Sequence, residues 1–419
     1  MNVTRIKITW ATGAIALAAL TINLFISSLA RADDAASTAA ITPPPATTTD
    51  APASAASPDK GPFDWLDNRI PIHFTLSYTN YYDDNIYISP KKTSDYIFNI
   101  SPGVNYAFGT AGQTDNYLTL KYIPTIQEYY TNSQQDAVNQ LANMYYEHNF
   151  TKLKLSLDQN YDKNNQTSIQ AGTIVQSSIF STTANANYAY SDKLSIMADF
   201  NQTLSYYVNP GYSNIYTWQG GAYFLYQITP KISLGVGPNF GTSQIVHQPS
   251  QTWEQGLAHL TYNVTEKINV IASAGYEDRQ FDANVPDQVS GVFSLGAYWT
   301  PFEGTSVNVN GYRHNDPSYS IGGTNYTATG VGAGIRQKML EKFYLGLNGG
   351  YENDAYTAAS VGITGARNDN YYYIHPYFQW DAEKWLQFVA YYQYSADESN
   401  LSSVSFNDNQ VGFTLNLNY

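Results

Sequence analysis

The chain has 419 residues and a net charge of −13, yet only 13% of its residues are charged, and 38 are Tyr. It contains no cysteine, which excludes disulfides, thiolate metal sites and cysteine nucleophiles. Its mean hydropathy of −0.36 shows that it is polar without being ionic. This composition favours a wall with one face in lipid and the other in water over an ordinary soluble domain.

The N-terminal segment, residues 1–32, has the features of a secretory signal peptide. Arg5 and Lys7 precede the apolar run 11–29, and Ala30-Arg31-Ala32 has the form of a cleavage site. An uncleaved anchor helix is the alternative, but the cleavage triplet that follows the apolar run favours cleavage after Ala32. No later apolar run approaches the roughly 20 residues that a membrane-spanning helix needs. A later membrane crossing therefore has to use strands.

Residues 33–69 are rich in Ala, Pro, Thr and Ser, and they include Pro43-Pro44-Pro45. Because the segment has no apolar periodicity, we expect an extended periplasmic linker. A plug inserted into the following domain is the alternative.

A loose unit of about 38 residues returns along residues 70–419. Each unit holds two long alternating strands that are joined by a short polar turn at one end and a longer polar loop at the other. This asymmetry is typical of an outer-membrane β-barrel, whereas a propeller blade needs four short strands. The eight turns are 109–115, 150–152, 190–193, 228–231, 264–267, 300–304, 340–342 and 381–384.

The strands between these turns alternate between apolar and polar residues. In the segment 193–202, for example, Leu194, Ile196 and Phe200 share one parity, and polar residues occupy most of the other. Alternate side chains of a strand point to opposite faces, so one face is apolar and the other is polar. A soluble sandwich would also give this pattern, but the signal peptide, the low charge and the hairpin rhythm weigh against it.

The turns set the number of strands. With a first strand at about Ile70–Tyr82 and a last strand at Gln410–Tyr419, eight turns predict an all-β, transmembrane antiparallel up-and-down barrel of 18 strands. The even number keeps both ends periplasmic. A barrel of 16 strands is the nearest alternative.

The last strand alternates cleanly and ends on an aromatic residue. It resembles the C-terminal sorting signal that the outer-membrane assembly machinery recognises. One more amphipathic strand without a sorting role would look similar. The residues of this expected assembly signal are Val411, Phe413, Leu415, Leu417 and Tyr419.

Aromatic residues cluster at the strand ends, where Tyr and Trp are expected to lie at the membrane interface. Some of the Tyr residues must instead face the lumen, where they could stack on sugars. Those near the turns are Tyr226, Trp299, Phe302, Phe378, Trp380 and Trp385. Those near the loops are Tyr81, Tyr82, Tyr129, Tyr130, Tyr206, Tyr207 and 371–373.

Nothing in the sequence marks a catalytic or metal site. The six histidines are scattered, without metal-ligand spacing. Ser177 or Ser178 with His148 or His259 would be the components of a hydrolase, but no pattern distinguishes them. We therefore expect no enzymatic activity, no cofactor, no metal and no nucleic-acid partner.

An 18-strand barrel is wide enough to leave an aqueous lumen. The possible pore-lining residues are Lys154, Asp158, Asp199, Glu277, Asn308, Asn310, Glu352 and Asn416. The longest loops are expected at about 160–177 and 352–368, and no loop is an obvious pore constriction.

Acidic residues near the expected loops would favour cations or neutral solutes over anions if they surround the pore mouth. They could equally only solubilise the loops or bind divalent ions that bridge lipopolysaccharide. These acids are Asp83, Asp84, Asp282, Asp287, Asp397 and Glu398.

The opening segment 75–87 contains Asp83-Asp84-Asn85 and leads to Ser101-Pro102-Gly103. This start resembles the putative β-barrel porin type 2 family, over residues 70–419. The resemblance implies an outer-membrane barrel of unsettled substrate, with members suspected in exopolysaccharide export, and it transfers no functional residues.

Two functions remain open at this stage. One is a porin-like channel that passes small hydrophilic solutes or takes part in polysaccharide export. The other is a closed barrel in the lipid bilayer with a structural, adhesive or hydrolytic role.

Overall fold

The computed structural model describes residues 71–112, 114–282, 286–320, 325–357 and 366–418. The predicted signal peptide and linker, together with Ile70 and Tyr419, lie outside these residues. Within the described ranges, no helix is long and apolar enough to cross a membrane. A single turn of 3₁₀ helix, Ser133–Gln135, is the helical segment that they contain.

The described residues form 18 strands. In chain order they are β1 Ile72–Asp83, β2 Asp95–Phe108, β3 Asn116–Tyr129, β4 Ala137–Asn149, β5 Leu153–Ser168, β6 Thr173–Ala189, β7 Leu194–Tyr207, β8 Ile215–Thr229, β9 Ile232–Ile245, β10 Gln251–Thr265, β11 Ile268–Phe281, β12 Gln288–Trp299, β13 Thr305–Pro317, β14 Asn325–Leu340, β15 Phe343–Tyr356, β16 Asn368–Glu383, β17 Leu386–Ser399 and β18 Phe406–Asn418.

The sheet closes on itself into a barrel. Each strand pairs antiparallel with its neighbours in sequence, and β1 pairs with β18 from Thr75↔Asn418 to Asp83↔Gln410. On the outside of this seam, the ring of Phe413 lies 6.1 Å from that of Tyr78 and 5.9 Å from that of Phe388. The predicted fold and its 18 strands are confirmed, and the alternative of 16 strands is wrong.

The eight predicted turns are the eight connections at one end of the barrel. The terminal strands differ slightly from the prediction, since β1 ends at Asp83 and β18 begins at Phe406. In an outer-membrane barrel the short turns are periplasmic, so the nine other connections lie at the outer end.

The two faces of the wall differ as the alternation predicts. Leu345 and Leu347 on β15 are 46% and 42% exposed, whereas Glu352, on the opposite parity, is 9% exposed. The aromatic residues near the turns follow the outer face, and Tyr226, Trp299 and Phe302 are all exposed. An apolar outer band with interfacial aromatic residues is the surface that a bilayer requires.

The predicted loop at 160–177 is wrong. Most of it continues β5 and β6, and the connection itself is the four residues 169–172. Its polar run, Asn164-Asn165-Gln166, has the composition of a loop, but it pairs strand to strand with β6. The second predicted loop, at 352–368, is shorter than expected because β15 continues to Tyr356.

Candidate functional site: the barrel interior and its outer mouth

The inner face of the wall carries the eight residues predicted to line a pore. Each lies on the strand parity opposite the exposed apolar one. They are spread around the barrel rather than gathered at one place, and their role as pore-lining groups stays a prediction. Lys154 and Asp158 lie on β5, Asp199 on β7, Glu277 on β11, Asn308 and Asn310 on β13, Glu352 on β15 and Asn416 on β18.

These side chains belong to a hydrogen-bonded polar surface. Lys154 Nζ lies 2.9 Å from Glu147 Oε1, and the carboxylate of Asp158 accepts a hydrogen bond of 2.6 Å from Asn143 Nδ2. On β18, the amide oxygen of Asn416 accepts a hydrogen bond of 2.8 Å from Ser77. The inner wall is therefore lined by amides, hydroxyls and paired charges.

Glu277 is held in a buried ion pair. Its Oε1 lies 2.7 Å from Arg279 Nε, and both side chains are at most 3% exposed. Gln255 Nε2 donates to the other carboxylate oxygen at 2.7 Å, and Asn315 Nδ2 donates to Oε1 at 2.9 Å. Every oxygen of this carboxylate therefore has a donor.

This network lies where the wall is least regular. The pairing between β12 and β13 ends at Phe293↔Arg313, although β12 continues to Gln288 and β13 to Pro317. Asn315 spans the interval by donating to Ser290 as well as to Glu277. Side-chain hydrogen bonds thus take the place of backbone hydrogen bonds between the outer ends of β12 and β13.

The hairpin of β5 and β6 extends beyond the wall. The pairing of β5 with β4 ends at Lys163, and that of β6 with β7 begins at Ser177. Between these points β5 and β6 pair only with each other, up to Ser168↔Thr173. We call residues 164–176 the hairpin tip.

The hairpin tip crosses the outer mouth of the barrel. Ile169 packs in a buried cluster with Ile88, Tyr371 and Phe406, which belong to the β1–β2 loop and to strands on the far side of the barrel. A Cβ built on Gly172 would lie 3.3 Å from Val404 Cγ1 in the β17–β18 loop. No loop was an obvious candidate for a constriction in the sequence, and the segment that crosses the mouth is the end of a strand hairpin.

Gly172 permits the close approach in two ways. Its φ of +62° lies in the left-handed region that favours glycine. Its lack of a side chain also leaves room for Val404.

Arg367, in the β15–β16 loop, holds the hairpin tip from the opposite side. Its Nη1 donates to the carbonyl oxygen of Gln170 at 2.8 Å, and Nη2 donates to that of Ile169 at 3.3 Å. The same guanidinium pairs with both carboxylate oxygens of Asp369, at 2.9 and 2.6 Å. One planar group thus joins the tip to the wall in the fork geometry that arginine provides.

Tyr319, in the β13–β14 loop, also contacts the hairpin tip. Its ring stacks on that of Tyr207 at 4.1 Å between centroids, and its hydroxyl is hydrogen-bonded to Ser168 in the hairpin tip. Its backbone N–H donates to Gln170 Oε1 at 3.2 Å. Burial raises the pKa of Tyr319.

The Asp83-Asp84-Asn85 motif fixes the third element at the mouth, the β1–β2 loop. Asp83 accepts a hydrogen bond of 2.7 Å from the Asn85 N–H, and the Asn85 side chain donates to the carbonyl oxygen of Asn407 on β18 at 3.0 Å. Asp84 accepts two hydrogen bonds from Asn409, at 2.9 and 2.8 Å. The motif therefore joins this loop to the seam that closes the barrel.

Acidic side chains are concentrated on one inner wall at the level of the hairpin tip. They lie on the adjacent strands β15 to β18 and β1, and we call them the acidic arc. Its members are Asp83, Glu352, Asp354, Asp369, Asp397 and Asp408.

The wall across from the acidic arc is neutral at its outer end. There β6 to β10 carry inward hydroxyl and amide groups, most of them buried. Thr217 and Ser243 are 2.5 Å apart across two of these strands. The members of this row are Ser177, Ser205, Thr217, Ser243 and Gln251.

The mouth acids predicted from the sequence separate into two groups. Asp83 and Asp397 are strand residues of the acidic arc, at 4% and 1% exposure. Asp84, Asp282 and Asp287 lie in loops, and Glu398 lies on the outer parity, where it accepts a hydrogen bond from Tyr372. The first group is therefore buried in the inner wall, and the second lies in loops or on the outer surface.

The hydrolase candidates are not brought together. Ser177 lies at the outer end of β6, whereas His148 lies at the turn end of β4 beside Asn116. His259 packs edge-on against Tyr223 on β8. Ser177 donates instead to Asn164, within the hairpin tip.

A cleft of about 670 Å³ lies between the hairpin tip and the loops β3–β4 and β7–β8. Amide side chains dominate its lining, among them Gln134, Gln135, Asn139, Asn165, Gln176 and Asn209. It marks the place where the hairpin leaves the wall.

Sequence reasoning missed Arg367, Gln170 and Tyr319. Their partners are distant in sequence, with 197 positions between Arg367 and Gln170. One signal was available, because the apolar residues Ile169, Ile174 and Val175 stand in a segment that otherwise has the composition of a polar loop. All three are buried.

A family comparison agrees with this architecture. Residues 254–419 match the family described as Putative beta-barrel porin 2. This match is consistent with the family expected from the sequence. The match covers most of β10 and all of β11–β18, rather than the opening motifs that suggested the family. With its apolar outer band and closed barrel, this porin-like protein is located in the bacterial outer membrane.

Solved structures give a similar fold at low identity. Acinetobacter baumannii OccAB2 shares 10% identity, with 86% of this chain and 99% of that chain covered and a TM-score of 0.46. Pseudomonas aeruginosa OccK1 (OpdK) shares 9% identity, with coverages of 84% and 100% and a TM-score of 0.46. No curated protein matches the chain.

Proposed function

We propose that this protein is an outer-membrane channel for hydrophilic solutes, whose outer mouth is closed by the hairpin tip in this structure. The observation that carries the proposal is the contrast between the two ends of the barrel. Eight short turns join the strands at one end, and at the other a hairpin leaves the wall and crosses the opening. Passage through the barrel requires this hairpin to move.

The inner wall supports a polar solute. Its amides and hydroxyls offer donors and acceptors all around the barrel, as in the pair Thr183 and Asn201 at 2.9 Å. Inward tyrosines such as Tyr223 and Tyr391 add aromatic faces on which a sugar ring could stack. Small hydrophilic solutes, or a polysaccharide during export, fit this surface.

A closed barrel with a structural, adhesive or hydrolytic role is the second candidate. The observation in its favour is the filling of the mouth by the hairpin tip, Tyr319 and Arg367. The two candidates differ in whether this filling can be displaced.

Planar-bilayer recordings of the purified protein distinguish the two candidates. The test variant replaces residues 165–176 by a two-residue Asn-Gly turn, which suits a hairpin that closes on the pair Asn164↔Ser177. We expect brief openings from the wild type and a steady conductance from the variant. A variant that inserts with wild-type heat-modifiable mobility but does not conduct would support the closed barrel.

Liposome uptake of neutral oligosaccharides of increasing length then separates small-solute passage from polysaccharide export. A sharp cut-off at one or two sugar units supports the former, and uptake of long chains supports the latter. We further propose that the last strand is recognised by the outer-membrane assembly machinery and that the outer rim contacts lipopolysaccharide.

A further inference from the structure

The acidic arc is not charge-balanced within the part of the chain that the structure describes. Six carboxylates lie on five adjacent strands. Among the described residues, Arg367 is the basic side chain that forms an ion pair with one of them, Asp369. Neighbouring carboxylates favour a cationic partner, because the negative charge of each one raises the free energy of ionising the next.

Asp397 provides an independent observation. The register pairs it with Tyr371 on β16 and with Phe406 on β18, and Asp369 and Asp408 each lie two positions away along those strands. It is 1% exposed, and neither carboxylate oxygen accepts a hydrogen bond of good geometry from the residues that the structure describes. Buried polar groups are almost always paired, so an unpaired carboxylate that is directed into the barrel indicates a place for a donor.

Arg367 shows which chemistry this surface accepts. Its guanidinium donates a hydrogen bond from Nε to Asp369 Oδ1 and forms an ion pair from Nη2 to Oδ2, and its central carbon lies 4.8 Å from the centre of the Tyr356 ring. The arc thus already holds one planar cation between a carboxylate and an aromatic face.

We propose that the acidic arc is a binding site for the guanidinium or ammonium group of a cationic solute, and that Arg367 occupies part of it in the closed state. The inference rests on the channel function proposed above. A cation that enters the arc meets the unpaired Asp397 and competes with Arg367 for Asp369. When Arg367 is displaced, the carbonyl groups of Ile169 and Gln170 lose their donor and the hairpin tip is released.

The experiment uses methylguanidinium as the probe and N-methylurea, its uncharged analogue of similar shape, as the control. Both are added to the outer side of the full-length protein in planar bilayers. We expect methylguanidinium to raise the fraction of time in the open state about fivefold or more, which is the scale of a typical coupling between two sites. N-methylurea should leave it unchanged.

The test variant is Asp397→Asn, which removes the unpaired carboxylate without touching the bonds of Arg367. Its matched control is Asp278→Asn, an exposed carboxylate on the outer parity of β11. We expect Asp397→Asn to raise the methylguanidinium concentration for half response about tenfold or more, as loss of a buried charge partner does. The control should respond like the wild type.

Asp408→Asn serves as a second variant if Asp397→Asn does not assemble. Equal responses to methylguanidinium and N-methylurea in a conducting wild type would overturn the inference and leave the channel function intact. If neither the wild type nor the shortened-hairpin variant conducts, the channel function fails and the inference fails with it.

Discussion

Arg367 Nη1 donates a hydrogen bond of 2.8 Å to the carbonyl oxygen of Gln170. Gln170 lies in the hairpin tip, and Arg367 lies on the opposite side of an 18-strand barrel. The bond therefore joins two chain segments that reach the outer mouth from opposite sides of the barrel. Around it, Tyr319 and the β1–β2 loop also contact the hairpin tip, through Ser168 and Ile169 respectively.

Gly172→Ala should loosen the hairpin tip. The substitution places a side chain against Val404 and costs roughly 1–2 kcal/mol for a left-handed backbone. Gly112→Ala is the matched control, because Gly112 also has a positive φ but has open space around it. Hydrogen exchange of residues 165–176 should accelerate in the first variant only. Equal protection of the tip in both variants would show that the contact with Val404 does not hold it.

Asp84→Ala should weaken the closing seam by about 1 kcal/mol, the typical net value of a hydrogen bond to a partly exposed charged group. Burial would raise the pKa of Asp84, but hydrogen bonds from Lys92 and Asn409 outweigh it and hold this pKa below its ordinary value. The lowered pKa means that the contribution is present above about pH 4 and is lost as the pH falls through the folded-state value. Thermal unfolding should therefore separate wild type and variant at pH 7.

The stability difference between the same two proteins should shrink as the pH falls through the folded-state pKa of Asp84, below which its carboxyl group is protonated in both the folded and the unfolded wild type. Asp278→Ala, which alters an exposed carboxylate, is the control for general charge effects. A wild-type advantage that does not decrease at all with falling pH would contradict the assignment.

Glu277→Gln should destabilise the barrel by about 3–5 kcal/mol, because it leaves the buried Arg279 without its charge partner. The double variant Glu277→Gln with Arg279→Gln should recover part of this loss. Denaturant unfolding followed by tryptophan fluorescence measures both. If the double variant is less stable than the single one, the ion pair is not the source of the cost.

The sequence predicts the wall far better than the mouth. Alternation depends on neighbours two positions apart, so Leu194, Ile196 and Phe200 suffice to orient β7. Turns such as 264–267 are equally local, which is why the strand number could be counted. The contacts of Arg367 and Tyr319 depend instead on chain segments about 150 to 200 positions away, and no local pattern encodes them.

The family motif shows the same limit. Asp83-Asp84-Asn85 was recognisable as a pattern, but its role became clear only from its bonds to Asn407 and Asn409 across the seam. The polar run at 164–166 has the composition of a loop for a similar reason, since it lies at the mouth of the barrel rather than in the membrane-facing wall. Polar strands that leave the wall lose the alternation by which they are detected.

A disulfide between the hairpin tip and the far wall tests the central claim most directly. A Cβ on Gly172 would lie 3.5 Å from Val404 Cβ, a separation that suits a disulfide, and the chain has no cysteine of its own. In planar bilayers, the double variant Gly172→Cys with Val404→Cys should be silent when oxidised and should conduct after reduction with dithiothreitol, while Gly172→Cys alone should be insensitive to both. A cross-linked barrel that conducts as well as the reduced one would contradict the claim that the hairpin tip closes the channel.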